Sequence, residues 1–278
     1  MRHALDLLRA LLLMIGCAAA QAAVAAPSCA VPGTLTAPHR EAASDKEPAR
    51  RLPIGGYTLS VIWMPGHCRE DASEECAQRR TMGRTMARGA NAAIGASPDF
   101  MLHGLWPDGR GKDWPQWCRP ADPLPAAVIA GPYCATPSPQ LIQHEWAKHG
   151  TCMAGYTPDR YFALSNRLFA GLAMPRLRAL SYRRLTARDV QTAIAGANPG
   201  MSAGMMRLNL DRKGWLKEIW FCLDTDFRRT VCSASAGGAS PNDRVMIWRG
   251  GRRADAGSEG HESHEGQNRS GFRRSRSG

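Results

Sequence analysis

Apolar positions along this chain follow two periods, and the switches between them outline the elements. Tyr57, Leu59, Val61 and Trp63 recur at every second position, the period of a strand, and Pro65-Gly66 ends the run. Phe100-Met101-Leu102-His103 reads as a short buried strand that delivers a histidine to its end. From Pro107 to about residue 140, frequent prolines and glycines predict mostly loop. Leu141, Ile142 and Trp146 are good helix material, which predicts a helix over 140–149 that stops near Gly150. Behind Pro158, a residue suited to a first helical position, Tyr161, Phe162, Leu164, Leu168 and Phe169 keep helical spacing. Thr186-Ala187-Arg188-Asp189 has the form of an N-cap with an acidic third residue, opening a helix through about Ala195. Met205 to Leu210 and Trp215 to Leu223 alternate as strands around the turn Asp211-Arg212-Lys213-Gly214, and Arg244 to Trp248 predicts a last short strand. Two strands, then helices, then strands argue for an α+β domain rather than repeating βαβ units.

The ends of the chain lack these periods. Residues 26–55 are rich in Pro, Ala, Arg and Glu and read as an irregular lead-in to a folded domain over 56–249. The tail over 250–278 is mostly Gly, Ser, Arg, Glu and His, cannot bury a core, and is expected to be disordered. Residues 1–25 carry Arg2 and Arg9, an apolar run from Ala10 to Ala20 too short to span a bilayer, and Ala23-Val24-Ala25 before Ala26-Pro27. That pattern predicts a signal peptide cleaved near Ala25 and a periplasmic or extracellular protein. Met14-Ile15-Gly16-Cys17 approximates a lipoprotein cleavage site, and the Ala-rich site is the better match because Met fits the lipobox poorly.

Cysteine usage agrees with export. Without Cys17, eight remain: Cys29, Cys68, Cys76, Cys118, Cys134, Cys152, Cys222 and Cys232. An even set in an exported chain predicts up to four disulfides, and no pair has the C-x-x-C spacing of a zinc ribbon or a redox centre. Cys222 and Cys232 are close enough to close a local loop, and the other pairings stay open at this point. Of the formal charge of +12, +1 lies in residues 1–25 and +2 from Gly250 onward, leaving +9 on the folded part. Such an excess favours a polyanionic partner without choosing one.

The candidate chemistry gathers in His144-Glu145-Trp146-Ala147-Lys148-His149-Gly150-Thr151-Cys152. On a helix with His144 at 0°, Glu145 falls near ~100°, Lys148 near ~40° and His149 near ~140°, while Trp146 and Ala147 point away toward a core. Glu145 and His149 stand at i,i+4, a spacing that lets the carboxylate orient the ring and raise its pKa. The grouping reads as an acid/base assembly with a cation beside it. A zinc site would need His-Glu-x-x-His; here Lys148 occupies the i+4 position and its ammonium opposes a metal cation, so no metal is expected.

Together with Phe100-Met101-Leu102-His103-Gly104-Leu105-Trp106-Pro107, this segment resembles the two active-site stretches of the ribonuclease T2 family, in the family's order and spacing. The resemblance covers residues 56–249 and implies a central antiparallel sheet with packed helices, stapled by disulfides that include Cys118–Cys152. It implies an endoribonuclease that cuts single-stranded RNA without a metal or cofactor, through a 2′,3′-cyclic phosphate to 3′-phosphate ends. His103 and His149 would be the acid/base pair, with Glu145 tuning His149 and Lys148 facing the phosphorane. His144 would hold phosphate, and Trp106 with Asp108 would form a base site. A monomer is expected. The competing reading is a T2-like binding protein that has lost turnover, which should carry a damaged catalytic set; here His103, His144, Glu145, Lys148 and His149 are all present.

Overall fold

The computed structural model of the protein describes residues 29–69, 73, 75–77 and 99–250. The leader expected over 1–25, with its alternative at Cys17, and the tail beyond Gly250 lie outside the described residues. In chain order the strands are β1 (Ile54–Trp63), β2 (Phe100–Gly109), β3 (Leu185–Thr186), β4 (Met206–Leu210), β5 (Leu216–Leu223) and β6 (Arg244–Val245). The α-helices that lie wholly within the described residues are α1 (Met64–His67), α2 (Ala126–Ala130), α3 (Pro139–Lys148), α4 (Pro158–Ala170), α5 (Leu177–Leu180) and α6 (Ala187–Gly196). Four strands form one antiparallel sheet in the order β2-β1-β5-β4, and β3 pairs with β6 in a separate small sheet. The α+β expectation holds. None of the described helices is long and apolar enough to cross a membrane.

Helix boundaries follow local chemistry. Ser138 caps α3 by accepting from the Leu141 N–H, and Pro139 opens the first turn, where a missing N–H costs nothing. Thr157 and Pro158 repeat the arrangement on α4, and Thr186 with Asp189 closes a capping box on α6. Two strands differ from expectation. β2 continues past His103 to Gly109, through Pro107, because it is an edge strand and a proline there removes no ladder bond. β6 is only two residues long, since β3 offers no more chain to pair with.

One face of the large sheet carries the core. Tyr57, Leu59, Val61 and Trp63 stand beside Leu102, Leu105, Ile219 and Phe221, and α4 and α6 cover them with Tyr161, Phe162, Val190 and Ile194. Tyr161 locks α4 to β2 by donating from its hydroxyl to the Leu105 carbonyl at 2.9 Å. The opposite face of the sheet presents Thr58 and Ser60 of β1 beside Trp106, Gly104, Cys222 and Trp220.

A bulge decides which residues reach that second face. Ser60 pairs with Gly104 and Val61 with Leu102, so His103 is an extra residue with no partner across the ladder. The extra residue lets Leu102 and Leu105 both enter the core, and it turns His103 out beside Gly104, Trp106 and Asp108.

Among the described residues, four disulfides staple the domain. Cys118–Cys152 matches the family resemblance and Cys222–Cys232 closes the expected local loop. Of the pairings left open, Cys68 joins Cys76 and Cys29 joins Cys134, the latter tying the lead-in to the body of the domain. Cys118–Cys152 closes a separation of 34 residues. Removing it as Cys118→Ala/Cys152→Ala should cost about 3–4 kcal/mol of unfolding free energy, the entropy of a loop that size. Denaturant titration checks this, and an unchanged midpoint would show the link to be structurally idle.

Candidate active site

Two structural units bring the titratable groups together: the bulged strand β2 and the C-terminal end of α3. Helix α3 ends at Lys148, and His149 caps it with φ −110 and ψ −51 before the 3₁₀ turn Gly150–Cys152. Gly150 is needed where the turn closes, because a Cβ there would lie 2.3 Å from the Trp146 ring. Trp117 holds the other side of this end: its backbone N–H donates to the Lys148 carbonyl at 2.8 Å, and the adjacent Cys118–Cys152 link fixes the loop. Its backbone sits at φ 53, a left-handed conformation that these two restraints maintain.

Glu145 is the most deeply buried charged group of the cluster, 2% exposed. Its Oε2 accepts from the Trp106 indole N–H at 2.8 Å, and its Oε1 lies 3.6 Å from His103 Nε2. The side chain occupies space vacated by Gly104, where a Cβ would stand 1.7 Å from Oε2. Burial raises the Glu145 carboxyl above its ordinary value, opposed mainly by the charge of His103.

This corrects the expectation that Glu145 tunes His149. The carboxylate finds its partners on β2; the His149 N–H still donates to the Glu145 carbonyl at 3.1 Å, but the His149 Nδ1 makes no hydrogen bond to the Glu145 side chain. Nothing then holds a proton on His149. The ring is 6% exposed, its buried Nδ1 has no hydrogen-bond partner, and burial with the charges of Lys148, His144 and His103 lowers its pKa well below the ordinary value.

His103 has the opposite environment. Its Nδ1 is 2.9 Å from Glu218 Oε1, so its two nitrogens face two carboxylates. Burial works against the imidazolium, but the Glu218 hydrogen bond and the Glu145 and Glu218 charges outweigh it, and the pKa is raised. Glu218 is itself held by the Trp220 indole at 2.7 Å and the Ser60 hydroxyl at 3.2 Å. Burial pushes its carboxyl up, yet these bonds and His103 pull it down to about 2. Sequence reasoning assigned Glu218 no role. The available signal was its position on β5, one residue short of the alternating face that carries Ile219 and Phe221 inward.

Trp106 joins the two histidines. Its ring lies edge-on to His103 at 5.0 Å between centroids and stacks on His149 at 5.4 Å. The remaining predicted residues sit around this group rather than in it. His144 pairs through Nδ1 with Glu41, and Lys148 Nζ donates to Glu47 at 2.8 Å, both partners coming from the lead-in. Asp108 lies two residues beyond Trp106 on the same strand and accepts from the Thr58 hydroxyl at 2.8 Å, with burial raising its carboxyl. Among the described residues no group of three or more His, Cys, Asp or Glu is arranged to hold a metal ion.

The arrangement offers one imidazole biased toward its neutral form, one biased toward its charged form, and an aromatic ring touching both. Comparison with known proteins points the same way. The model of the Ribonuclease T2 family matches residues 55–232. A probable ribonuclease of Haemophilus influenzae is 26% identical over 191 residues, covering 66% of this chain and 63% of that protein's length. A ribonuclease of Aeromonas hydrophila is 27% identical over 178 residues, 61% of this chain and 72% of the relative. Among solved structures, trichomaglin, described as an S-like ribonuclease, superposes with a TM-score of 0.51 at 18% identity, covering 70% of this chain and 97% of its own. At that identity the likeness shows the fold alone.

Two substitutions test the site without reference to any reaction. Glu218→Gln should move the His103 titration, followed by NMR, down by about one pH unit or more, because the imidazolium loses its hydrogen-bonded anion. An unmoved midpoint would remove Glu218 from the site. Gly104→Ala should lower the unfolding free energy by about 1–3 kcal/mol, because the Glu145 carboxylate cannot share its space with a methyl group.

Proposed function

The chain belongs to the ribonuclease T2 family, and from that premise we propose that it is an exported endoribonuclease that cuts single-stranded RNA by transphosphorylation. The observation that carries the reading is the opposite displacement of the two histidines around Trp106: His103 held toward its protonated form, His149 toward its neutral form.

These states suit a reaction whose nucleophile is the substrate's own 2′-hydroxyl. His149, with Nδ1 shut away, takes the hydroxyl proton through Nε2 as the oxygen attacks phosphorus. His103, with Nδ1 engaged by Glu218, delivers a proton from Nε2 to the departing 5′-oxygen. The P–O5′ bond breaks, leaving a 2′,3′-cyclic phosphate and a free 5′-hydroxyl. Water later opens the cyclic ester to a 3′-phosphate with the two histidines in exchanged roles. Lys148 supplies a compact positive charge to the phosphorane, and His144 holds a phosphate oxygen. Glu145 acts on His103 and anchors Trp106. Trp106 and Asp108 form the base site, the indole providing a stacking surface. Export rests on the leader pattern of residues 1–25 and is supported by four disulfides, which persist in oxidising surroundings.

Replacing either histidine as His103→Ala or His149→Ala should lower RNA turnover by about 10²–10⁴-fold with folding intact. Near-normal turnover by a folded variant would withdraw that residue from the chemistry. An RNA carrying 2′-O-methyl at the scissile linkage should resist cleavage there, as should DNA; cutting at a comparable rate would mean that water attacks. EDTA should leave turnover unchanged, and a loss would point to a metal.

The pH profile has a defined sign. kcat/KM needs His149 neutral, so activity falls on the acid side only as pH drops through a pKa below the ordinary 6.5. It also needs His103 protonated, so activity falls on the alkaline side as pH rises through a pKa above 6.5. Glu145→Gln should pull the alkaline limb toward lower pH and leave the acid limb in place. Movement of the acid limb instead would restore Glu145 as the partner of His149.

A further inference from the structure

The lead-in places two carboxylates on two basic side chains that flank the proposed reaction centre. Glu41 meets His144, and Glu47 meets Lys148, at the outward side of α3. Residues 29–53 have almost no regular structure, yet they are fastened at both ends. The Cys29–Cys134 disulfide secures the start, and near the crossing the His39 N–H donates to the Gln140 side chain at 2.9 Å while Arg40 pairs with Asp122. At the far end Arg50 exchanges two backbone hydrogen bonds with Gln116, Arg51 Nε donates to the Cys118 carbonyl at 2.8 Å, and the Gln116 amide donates to the Pro48 carbonyl at 2.9 Å. Between the two acidic contacts, residues 42–46 stay exposed. The match to the family model begins at residue 55, beyond this segment.

The chemistry of the contacts is that of a phosphate. Each carboxylate presents oxygen acceptors to a group assigned to bind phosphate oxygens, and the Lys148 hydrogen bond keeps Glu47 ionised by lowering its pKa. Anchoring on both sides holds the two carboxylates against His144 and Lys148 at a high effective concentration, so an RNA phosphate must displace a tethered competitor rather than water. The pairs are only partly buried, with 24% of Glu41 and 47% of Glu47 exposed, so each opposes binding weakly and can be exchanged.

We propose that residues 29–53 form an autoinhibitory strap whose Glu41 and Glu47 carboxylates compete with RNA phosphates for His144 and Lys148. The inference rests on the ribonuclease reading for the identity of the competing ligand. Opening the strap raises activity, and the groups it releases are those that take hold of the substrate backbone.

The test is the double variant Glu41→Gln/Glu47→Gln in the full chain, with Asp159→Asn/Asp226→Asn as a control that removes two exposed charges away from the strap. Two quantities are read: kcat/KM on a short RNA, and the Kd of a single-stranded 2′-O-methyl oligonucleotide that cannot be cut. The strap variant should gain about 3- to 30-fold in both, as expected for two partly exposed ion pairs, while the control stays near the wild-type value. An equal gain in the control would assign the effect to net charge and overturn the strap. Unchanged or weaker binding with lower kcat/KM would also overturn it, making Glu41 and Glu47 positioning residues for His144 and Lys148. If no protein cuts RNA yet the strap variant alone binds the oligonucleotide more tightly, the strap stands and the ribonuclease reading falls. If RNA is cut and binding does not change, the reverse holds.

Discussion

The structure depends on a carboxylate buried where helix and sheet meet. Glu145 is almost wholly removed from water, and a charge in that position is costly unless donors surround it. The Trp106 indole on β2 donates to Oε2, and the His103 ring, 3.6 Å from Oε1, offers its charge without a hydrogen bond. Several local features follow from this one requirement. Residue 104 must lack a side chain, β2 must extend as far as Trp106, and α3 must be capped so that its last turn points at the strand edge. The same dry pocket raises the Glu145 carboxyl and lowers the His149 ring, pushing both toward their neutral forms, and at Glu145 the charge of His103 is the main opposing influence.

Much of this was legible in the residues, and the division between what was and what was not is physical. Helix α3, its stop near Gly150, helices α4 and α6 with their caps, and strands β1, β4 and β5 depend on signals within a few residues, and those signals were present. The two motif segments located His103, Trp106, Glu145 and His149, which the fold does bring together. Contacts that cross the fold left no such mark. Spacing on a helix suggested Glu145 with His149, but a buried carboxylate follows the nearest donors, and these lie roughly forty residues away in sequence on another element. Glu218 is 115 residues from His103, and its partnership exists only because β5 pairs with β1. The lead-in carries no period of its own because its order comes from a disulfide and from carboxylate contacts with partners about a hundred positions distant.

His103 and Glu218 show how a sheet can serve as a reaction platform. A loop histidine would need its orientation fixed by packing alone. Here the ring stands on a strand, its Nδ1 is engaged by a carboxylate two strands away, and that carboxylate is held in turn by Trp220 and Ser60. Rotating the imidazole would break a chain of charged hydrogen bonds in a poorly solvated region, where each link is stronger than in water. The orientation of the ring, with Nδ1 on Glu218 and Nε2 toward Glu145, is thereby specified before any substrate arrives.

The bulge at His103 also limits how this gene can drift. Substitutions along β2 act one side chain at a time, but losing a single codon between Leu102 and Gly104 would restore strict alternation. The two faces would keep their residues, but the single position left opposite Ser60 would hold either Gly104, with the histidine gone, or His103, with a Cβ in the space of the Glu145 carboxylate. Length here is therefore inherited more strictly than composition. Relatives can diverge to about a quarter identity and still be expected to keep the number of residues separating this histidine from its tryptophan.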